Sequence, residues 1–238
     1  MSKFVNYLGY KVLDIDYTEA RKFFSQGSVL TISPNSYGLA TKNENLNLAL
    51  KREGLLVLDG VYFALGYSLR KFKTIQKNQG PDIFYQELEI QKKRKGRVFF
   101  LGASNETLAL IGDRMKLEYP EIEFETLSPP FRDELTDSDN KQIESRIKAF
   151  GPDVVFVGMT CPKQEIWVNT NIGSYDGILF LAIGGVFDWF AGTRKELNPI
   201  WWKLRLGWLG RIIQRPEILR RNLPNIWIYL KNMFRETK

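Results

Sequence analysis

Apolar runs of four or so residues recur along the chain, separated by longer stretches in which apolar positions are spaced as on a helix. The runs are Val29-Leu30-Thr31-Ile32, Leu55-Leu56-Val57-Leu58, Val98-Phe99-Phe100-Leu101, Val154-Val155-Phe156-Val157 and Ile178-Leu179-Phe180-Leu181. Most are bounded by Gly, Pro or Asp, the pattern of strands covered on both faces. Asn105 to Tyr119 places Leu108, Ile111 and Met115 on one helical face behind an acidic first turn. Thr136 to Phe150 opens with the capping types Thr136, Asp137 and Ser138. This alternation predicts an α/β fold with a mostly parallel, Rossmann-like, doubly wound sheet. Ligands of such sheets sit outside the carboxyl ends of the strands.

Beyond Asp188 the pattern changes. From Pro216, a good first helical residue, apolar side chains fall at Leu219, Leu223, Ile226, Trp227, Leu230, Met233 and Phe234, a helical stripe that Pro224 is expected to kink or split. Charge follows the same division. Residues 194–238 hold eleven Lys/Arg against three Asp/Glu, whereas residues 1–193 hold 23 against 24, so the net +7 of the 238-residue chain lies in its last fifth. We therefore expect an α/β catalytic body over 1–193 and a basic, amphipathic, membrane-facing helical appendage over 194–238. A segment bearing Trp201, Trp202, Trp208 and Trp227 among arginines suits an anionic lipid surface, at about 1 kcal/mol per basic residue near it.

Other counts narrow the chemistry. A 44% hydrophobic, 26% charged composition is that of a globular protein with a full core. No histidine occurs, which excludes Ser-His and Cys-His nucleophilic pairs and the usual His-containing zinc sites, and leaves a carboxylate as the natural general base. The single cysteine, Cys161 beside Pro162, reads as a packing residue in a reducing compartment. No signal peptide is read at the amino terminus, and the apolar stretch Gly177–Gly192 is shorter than the roughly 20 residues of a spanning helix. The expected location is cytoplasmic and peripheral.

The strand ends carry the candidate chemistry. Thr31-Ile32-Ser33-Pro34-Asn35 offers hydroxyl and amide groups to a sugar. Leu58-Asp59-Gly60 puts a carboxylate at a strand terminus, where an Asp more often caps a helix. Gly102-Ala103-Ser104 gives small residues before a helix start, suited to phosphate. Two further strands lead into Pro162-Lys163-Gln164-Glu165 and Gly184-Gly185-Val186-Phe187-Asp188. The Asp-x-Asp pairs Asp14/Asp16 and Asp137/Asp139 read as caps, and no metal is assigned. Neither a dinucleotide nor a P-loop glycine motif is present.

In order, these motifs, with Gly80-Pro81-Asp82 between them and Gly184 to Gly192 closing the series, resemble the WecG/TagA/CpsF family of bacterial glycosyltransferases from about Val29 to Arg221. The resemblance implies an inverting, metal-independent transfer of an N-acetylmannosamine-type or other hexose from a UDP-sugar to a polyprenyl-diphosphate-linked sugar, in cell-surface polysaccharide synthesis. No cofactor beyond the donor substrate is implied. It makes Asp59 the general base and sets Thr31 and Ser33 along the pocket. Gln164, Gly184, Gly185 and Asp188 hold the donor, with Gly102 and Ala103 at its phosphates. Arg211, Arg215 and Arg221 face the acceptor diphosphate from a segment closing over the site.

Three departures stand out: Ser33 where the family usually has Asn, Glu196-Leu197-Asn198-Pro199 in place of Arg-Ala-Pro, and Gly207-Trp208 in place of Glu-Trp. They bear on donor and acceptor choice more than on reaction class. The competing readings are a nucleic-acid-binding module built on the basic tail, and an NAD-dependent enzyme on the same fold. The nucleic-acid reading is disfavoured by the neutral body and the tail's helical stripe, the NAD reading by the missing fingerprint. Oligomeric state, a homo-oligomer included, is left open.

Overall fold

A computed structural model describes residues 3–132, 134–193 and 216–235. Its centre is a six-stranded, all-parallel sheet: β3 (Gly27–Ile32), β4 (Leu55–Leu58), β5 (Arg97–Gly102), β6 (Glu123–Leu127), β7 (Val154–Gly158) and β8 (Leu179–Ala182), in the spatial order β4-β3-β8-β7-β5-β6. The five apolar runs are the five strands inside or flanking this order, and nearly every residue in them is buried because helices cover both faces. A separate antiparallel hairpin, β1 (Phe4–Tyr7) and β2 (Tyr10–Leu13), precedes the sheet. The hairpin turns through Leu8 and Gly9, both at positive φ (50° and 82°).

Alternation along each strand sorts the helices. Leu30, Ile32, Leu56, Leu58, Val155, Val157, Phe180 and Ala182 face one layer. It contains α2 (Pro34–Ala40), α3 (Glu44–Lys51), α4 (Val61–Lys71), α7 (Asp137–Phe150) and α8 (Lys163–Asn171). Val29, Val57, Phe100, Phe156, Leu179 and Leu181 face the other. There lie α1 (Tyr17–Ala20), α5 (Gly80–Arg94), α6 (Asn105–Glu118) and α9 (Val186–Phe190). Of the Asp-x-Asp pairs, Asp16 and Asp139 cap as expected, whereas Asp14 ties two distant segments. Asp16 Oδ1 accepts from Thr18 N at the start of α1, Asp14 Oδ1 accepts from Gln76 N, and Asp139 closes a capping box with Thr136.

A buried ionic knot ties α1 to α5. Arg21 donates to both oxygens of Glu87 at 2.8 and 3.0 Å, Tyr17 Oη donates to Oε2 at 2.6 Å, and Gln91 Nε2 donates to Oε1 at 2.7 Å. Each carboxylate oxygen is thus satisfied twice, which offsets the desolvation of a fully buried charge pair.

The last helix, α10 (Pro216–Arg235), is continuous through Pro224. The split expected there does not occur, and from Asn225 onward the helix is held by the body. Asn225, Tyr229 and Met233, one turn apart, are buried, the only ones so among the helix residues whose side chains are described, 220–235. They lie where Gly38 of α2 and Gly66 of α4 leave no side chain: a Cβ on Gly38 would come within 2.3 Å of the Asn225 carbonyl oxygen, and one on Gly66 within 2.0 Å of Tyr229 Oη. Tyr229 stacks on Phe63 at 4.9 Å. Asn225 Nδ2 donates to Asn35 Oδ1 at 3.0 Å, and Asn232 Nδ2 donates to Tyr37 Oη at 3.1 Å.

Candidate active site

The helices that follow neighbouring strands leave on opposite faces. α2 after β3 and α8 after β7 join one layer, whereas α9 after β8 and α6 after β5 join the other. Chain therefore parts on either side of β8 and again between β7 and β5, opening a crevice at the carboxyl ends, where parallel sheets take their ligands.

Register brings the candidate residues to one level there. Ile32 pairs with Leu58, and Asp59 N donates to Ile32 O at 2.9 Å. On the other side of β3 the ladder with β8 ends at Val29–Leu181, and beyond β8 the N–H groups of Ile183 and Gly184 both turn to Val157 O of β7, at 3.2 and 3.4 Å. Asp59 follows β4 and Gly184 follows β8, the two strands that flank β3. Across β7, Val157 pairs with Ala182 and Gly158 with Gly102. Ser33, Asp59, Gly102, Ala103, Gly184 and Gly185 thus all lie at the carboxyl ends of strands of this one sheet, which form its rim.

Each position has a local cause. The cap of α4 is Gly60, at φ 94°, and no side chain caps that helix, so Asp59 does not have the cap role that is the ordinary fate of a strand-ending Asp. Ser33 caps α2 in a capping box with Ser36, a role that the family's usual Asn would also fill. Thr31 lies within β3, half-buried. Gly102 and Ala103 are at φ 122° and 58°, and Ala103 N donates to Gly158 O at 3.1 Å before Ser104 caps α6. A Cβ at Gly102 would meet the Gly158 carbonyl oxygen at 2.5 Å, so the β5 and β7 ends touch through glycine alone. Gly184 is at φ 56° and Gly185 caps α9, which carries half-buried Asp188. Gly80 packs on this turn, its Cβ position 3.3 Å from Val186 Cγ2 and 3.6 Å from Ile183 O.

Gln164 opens α8 and is buried. Beside it burial pushes the carboxyl of Glu165 above the ordinary carboxylate value, against hydrogen bonds from Gln164, its own backbone and Cys161. Burial, and then Glu165, raise the Cys161 thiol far above its usual value, while the guanidinium of Arg221 pulls it down. A thiol so shifted is a poor nucleophile, in keeping with its reading as a packing residue.

Asn225 of α10 holds Asn35, just past β3. Arg221 is exposed. Arg211 and Arg215 fall outside the described residues, as do Trp201, Trp202, Trp208 and the departures at 196–199 and 207–208. Asn35, read from sequence as an amide offered to a sugar, accepts from Asn225 instead; Asn225 and Glu165 have no role in the sequence reading. Asn225 had a signal, a polar residue one turn before Tyr229 inside an otherwise apolar stripe.

A hollow of about 420 Å³ lies elsewhere, lined by Gln26, Gly27, Arg52, Glu53, Ile172 and Tyr175 at the amino ends of the strands. The strand-end rule places no ligand there, and none of the rim residues lines it.

Comparison with known proteins places this arrangement. The description "Glycosyl transferase WecG/TagA/CpsF family" matches residues 5–238. The chain belongs to that family. It is a glycosyltransferase, and family membership favours this over the nucleic-acid and NAD readings. Among curated relatives it is similar to the N-acetylglucosaminyldiphosphoundecaprenol N-acetyl-beta-D-mannosaminyltransferase of Staphylococcus aureus strain NCTC 8325 / PS 47, 27% identical over 185 residues, 78% of this chain and 71% of that one. The enzyme of the same name from S. aureus strain MRSA252 is 26% identical over the same shares. Among the described residues no helix is long and apolar enough to cross a membrane.

Proposed function

We propose that the chain transfers a hexose or N-acetylhexosamine from a UDP-sugar to a sugar carried on a polyprenyl diphosphate, with inversion and without a metal, at an anionic membrane surface. The observation that supports the reading is that Ser33, Asp59, Gly102 and Gly184 all follow carboxyl ends of strands of one parallel sheet, with α10 bonded through Asn225 to Asn35 just past β3. In this reading Asp59 removes the proton from the attacking acceptor hydroxyl. The departing UDP is met by the backbone around Gly184–Gly185 and Gly102–Ala103, and by Gln164 and Asp188. Thr31 and Ser33 flank the reacting sugar. Arg221, with Arg211 and Arg215, takes the acceptor diphosphate by charge-assisted hydrogen bonds. No cofactor enters beyond the donor substrate.

The outward face of α10 supports the membrane part. Leu223, Trp227 and Phe234 are exposed there beside Arg220, Arg221, Lys231 and Arg235. The neighbouring α4 exposes Leu65 and Leu69, and just past its end Phe72 stands exposed between Lys71 and Lys73. Apolar side chains ringed by cations suit an interface with anionic lipid.

Asp59→Asn tests the mechanism. UDP-sugar binding by calorimetry is expected to stay near wild type while turnover on a lipid-linked acceptor drops by roughly 10²–10⁴. A variant that turns over at the wild-type rate removes Asp59 from the role of base.

A further inference from the structure

The first turn of α8 contains an arrangement that the transfer reading leaves unexplained. Gln164 and Glu165 are adjacent in sequence, yet both are buried, 3% and 1% exposed. An acidic residue in a helical first turn ordinarily sits in water, favoured there by the macrodipole. Glu165 instead points into the protein, and among the described residues it forms no ion pair. Its contacts are local: Gln164 Nε2 donates to Oε1 at 2.9 Å and the Cys161 thiol donates to the carboxyl.

Two acceptors are left over. Gln164 Oε1 and Glu165 Oε2 are both shielded from solvent and have no hydrogen-bond partner. Leaving a buried polar atom unmet is disfavoured, and such atoms in a native fold call for an explanation. Gly184 supplies one. A Cβ there would stand 3.4 Å from Gln164 Oε1, 3.5 Å from Nε2 and 3.7 Å from Met159 O, so the amide lies against a rim residue that presents no side chain. Glycine leaves the Gln164 amide open toward the turn.

We propose that Glu165 is a positioning residue: by holding the Gln164 amide nitrogen, it turns the Gln164 carbonyl toward Gly184, where that oxygen accepts a hydrogen bond from an N–H or O–H of the nucleotide-sugar donor. This rests on the reading that the Gly184–Asp188 turn holds the donor. The amide has two faces, and a carboxyl fixed behind one of them decides that the crevice meets an acceptor. Without Glu165, Gln164 can rotate and offer its NH₂ instead, so the ligand loses its partner although Gln164 is still present. Cys161 supports the carboxyl from behind, which gives the lone cysteine a place in the same chain of contacts.

Two measurements separate this inference from the reading beneath it. In the free protein, the side-chain amide of Gln164 is followed by ¹H–¹⁵N NMR, assigned by its disappearance in Gln164→Met. Glu165→Leu is expected to shift both amide protons and speed their exchange with water, and Glu165→Gln, which keeps an acceptor oxygen, is expected to restore the signal in large part. An unchanged Gln164 amide in Glu165→Leu overturns the positioning role whatever the protein binds.

Binding of UDP and of UDP-N-acetylhexosamine is then titrated. Glu165→Leu and Gln164→Met should each weaken one or both by roughly tenfold, the loss of one hydrogen bond, with Glu165→Gln recovering most of it. Equal losses for both ligands place the bonded group on the nucleotide, and a loss for the UDP-sugar alone places it on the sugar. Undiminished binding in the folded Leu variant overturns the inference. If that variant does not fold, recovery of the amide signal and of binding in Glu165→Gln relative to Gln164→Met decides the same point. Wild-type protein that binds neither ligand fails the donor reading, and the NMR result still decides what Glu165 does.

Discussion

Replacing Gly38 by Ala opposes two well-separated effects. Gly38 lies inside α2, where Ala is the better helix former by about 1 kcal/mol, so local propensity alone predicts a more stable protein. The contact predicts the reverse. The added Cβ would stand 2.3, 2.5 and 2.6 Å from the O, Cα and C atoms of Asn225, all backbone, so no side-chain rotation relieves it. Ordinary contact begins at 3.4 Å, hence α10 must retreat by about 1 Å over its central turns. Overpacking of this kind costs about 1–3 kcal/mol. Retreat also strains the 3.0 Å Asn225–Asn35 hydrogen bond and the 4.9 Å stack of Tyr229 on Phe63. The penalty exceeds the propensity gain, and it falls on one interface. The body should keep its cooperative unfolding with a net loss of up to about 2 kcal/mol, while amide exchange over 216–235 rises well beyond that of the sheet strands. Activity on a lipid-linked acceptor should fall with α10 docking. A variant as stable as wild type, with unchanged protection in α10, would show that the helix is not seated on α2 as described.

Three other perturbations address separate layers. Glu87→Leu strands the guanidinium of Arg21, whose side chain is 4% exposed, and should cost about 3–5 kcal/mol in urea unfolding. Arg21→Met with Glu87→Leu should recover most of that, and a single variant costing under about 1 kcal/mol refutes the knot. Trp227→Glu, at a side chain 70% exposed, should leave the melting temperature unchanged and weaken flotation with anionic vesicles; retained flotation would move the lipid contact elsewhere. Burial raises the Glu165 carboxyl above its unfolded value, so the folded state binds that proton more tightly. Its stabilising share is complete below the unfolded value and is lost as pH climbs through the folded one, by at most about 1.4 kcal/mol per pH unit. Glu165→Gln lacks that loss, so its stability relative to wild type should rise from pH 5 to pH 8 in thermal melts. A constant difference means that Glu165 titrates normally.

The sheet was legible wherever burial made a run wholly apolar, because strands covered on both faces have no polar positions to disguise them. β6 escaped because Glu123-Phe124-Glu125-Thr126-Leu127 is the edge strand, exposed or half-buried throughout, and it alternates. The β1–β2 hairpin escaped because its turn, Leu8-Gly9, puts a leucine at positive φ, which no turn preference announces. Helix starts at Asn105 and Asp137 were readable from Ser104 and Thr136, whose side chains do the capping. The rim residues were readable too, since strand-end glycines and carboxylates follow directly from the strand assignments. Glu165 was not. A first-turn Glu beside Lys163 looks solvated, and its burial depends on how the β7–α8 turn sits against Gly184.

The last helix shows a different limit. Its apolar residues cover more than one face, and periodicity cannot say which part meets the protein. The structure divides them, with Tyr229 and Met233 inward alongside Asn225, and Leu223, Trp227 and Phe234 outward. What decides the division lies far away in sequence, in two glycines on α2 and α4 that let a backbone and a tyrosine approach where any side chain would hold them off. A helix with an inner stripe fitted to glycines and an outer stripe of exposed apolar residues among cations has a reason to be apolar on both sides. The inner stripe fixes it against α2 and α4, and in the proposed function the outer one is left for the lipid surface from which a polyprenyl-linked acceptor would come. On this view the basic tail belongs to the catalytic architecture as well as to the membrane contact, and a variant that undocks it should lose transfer even when donor binding survives.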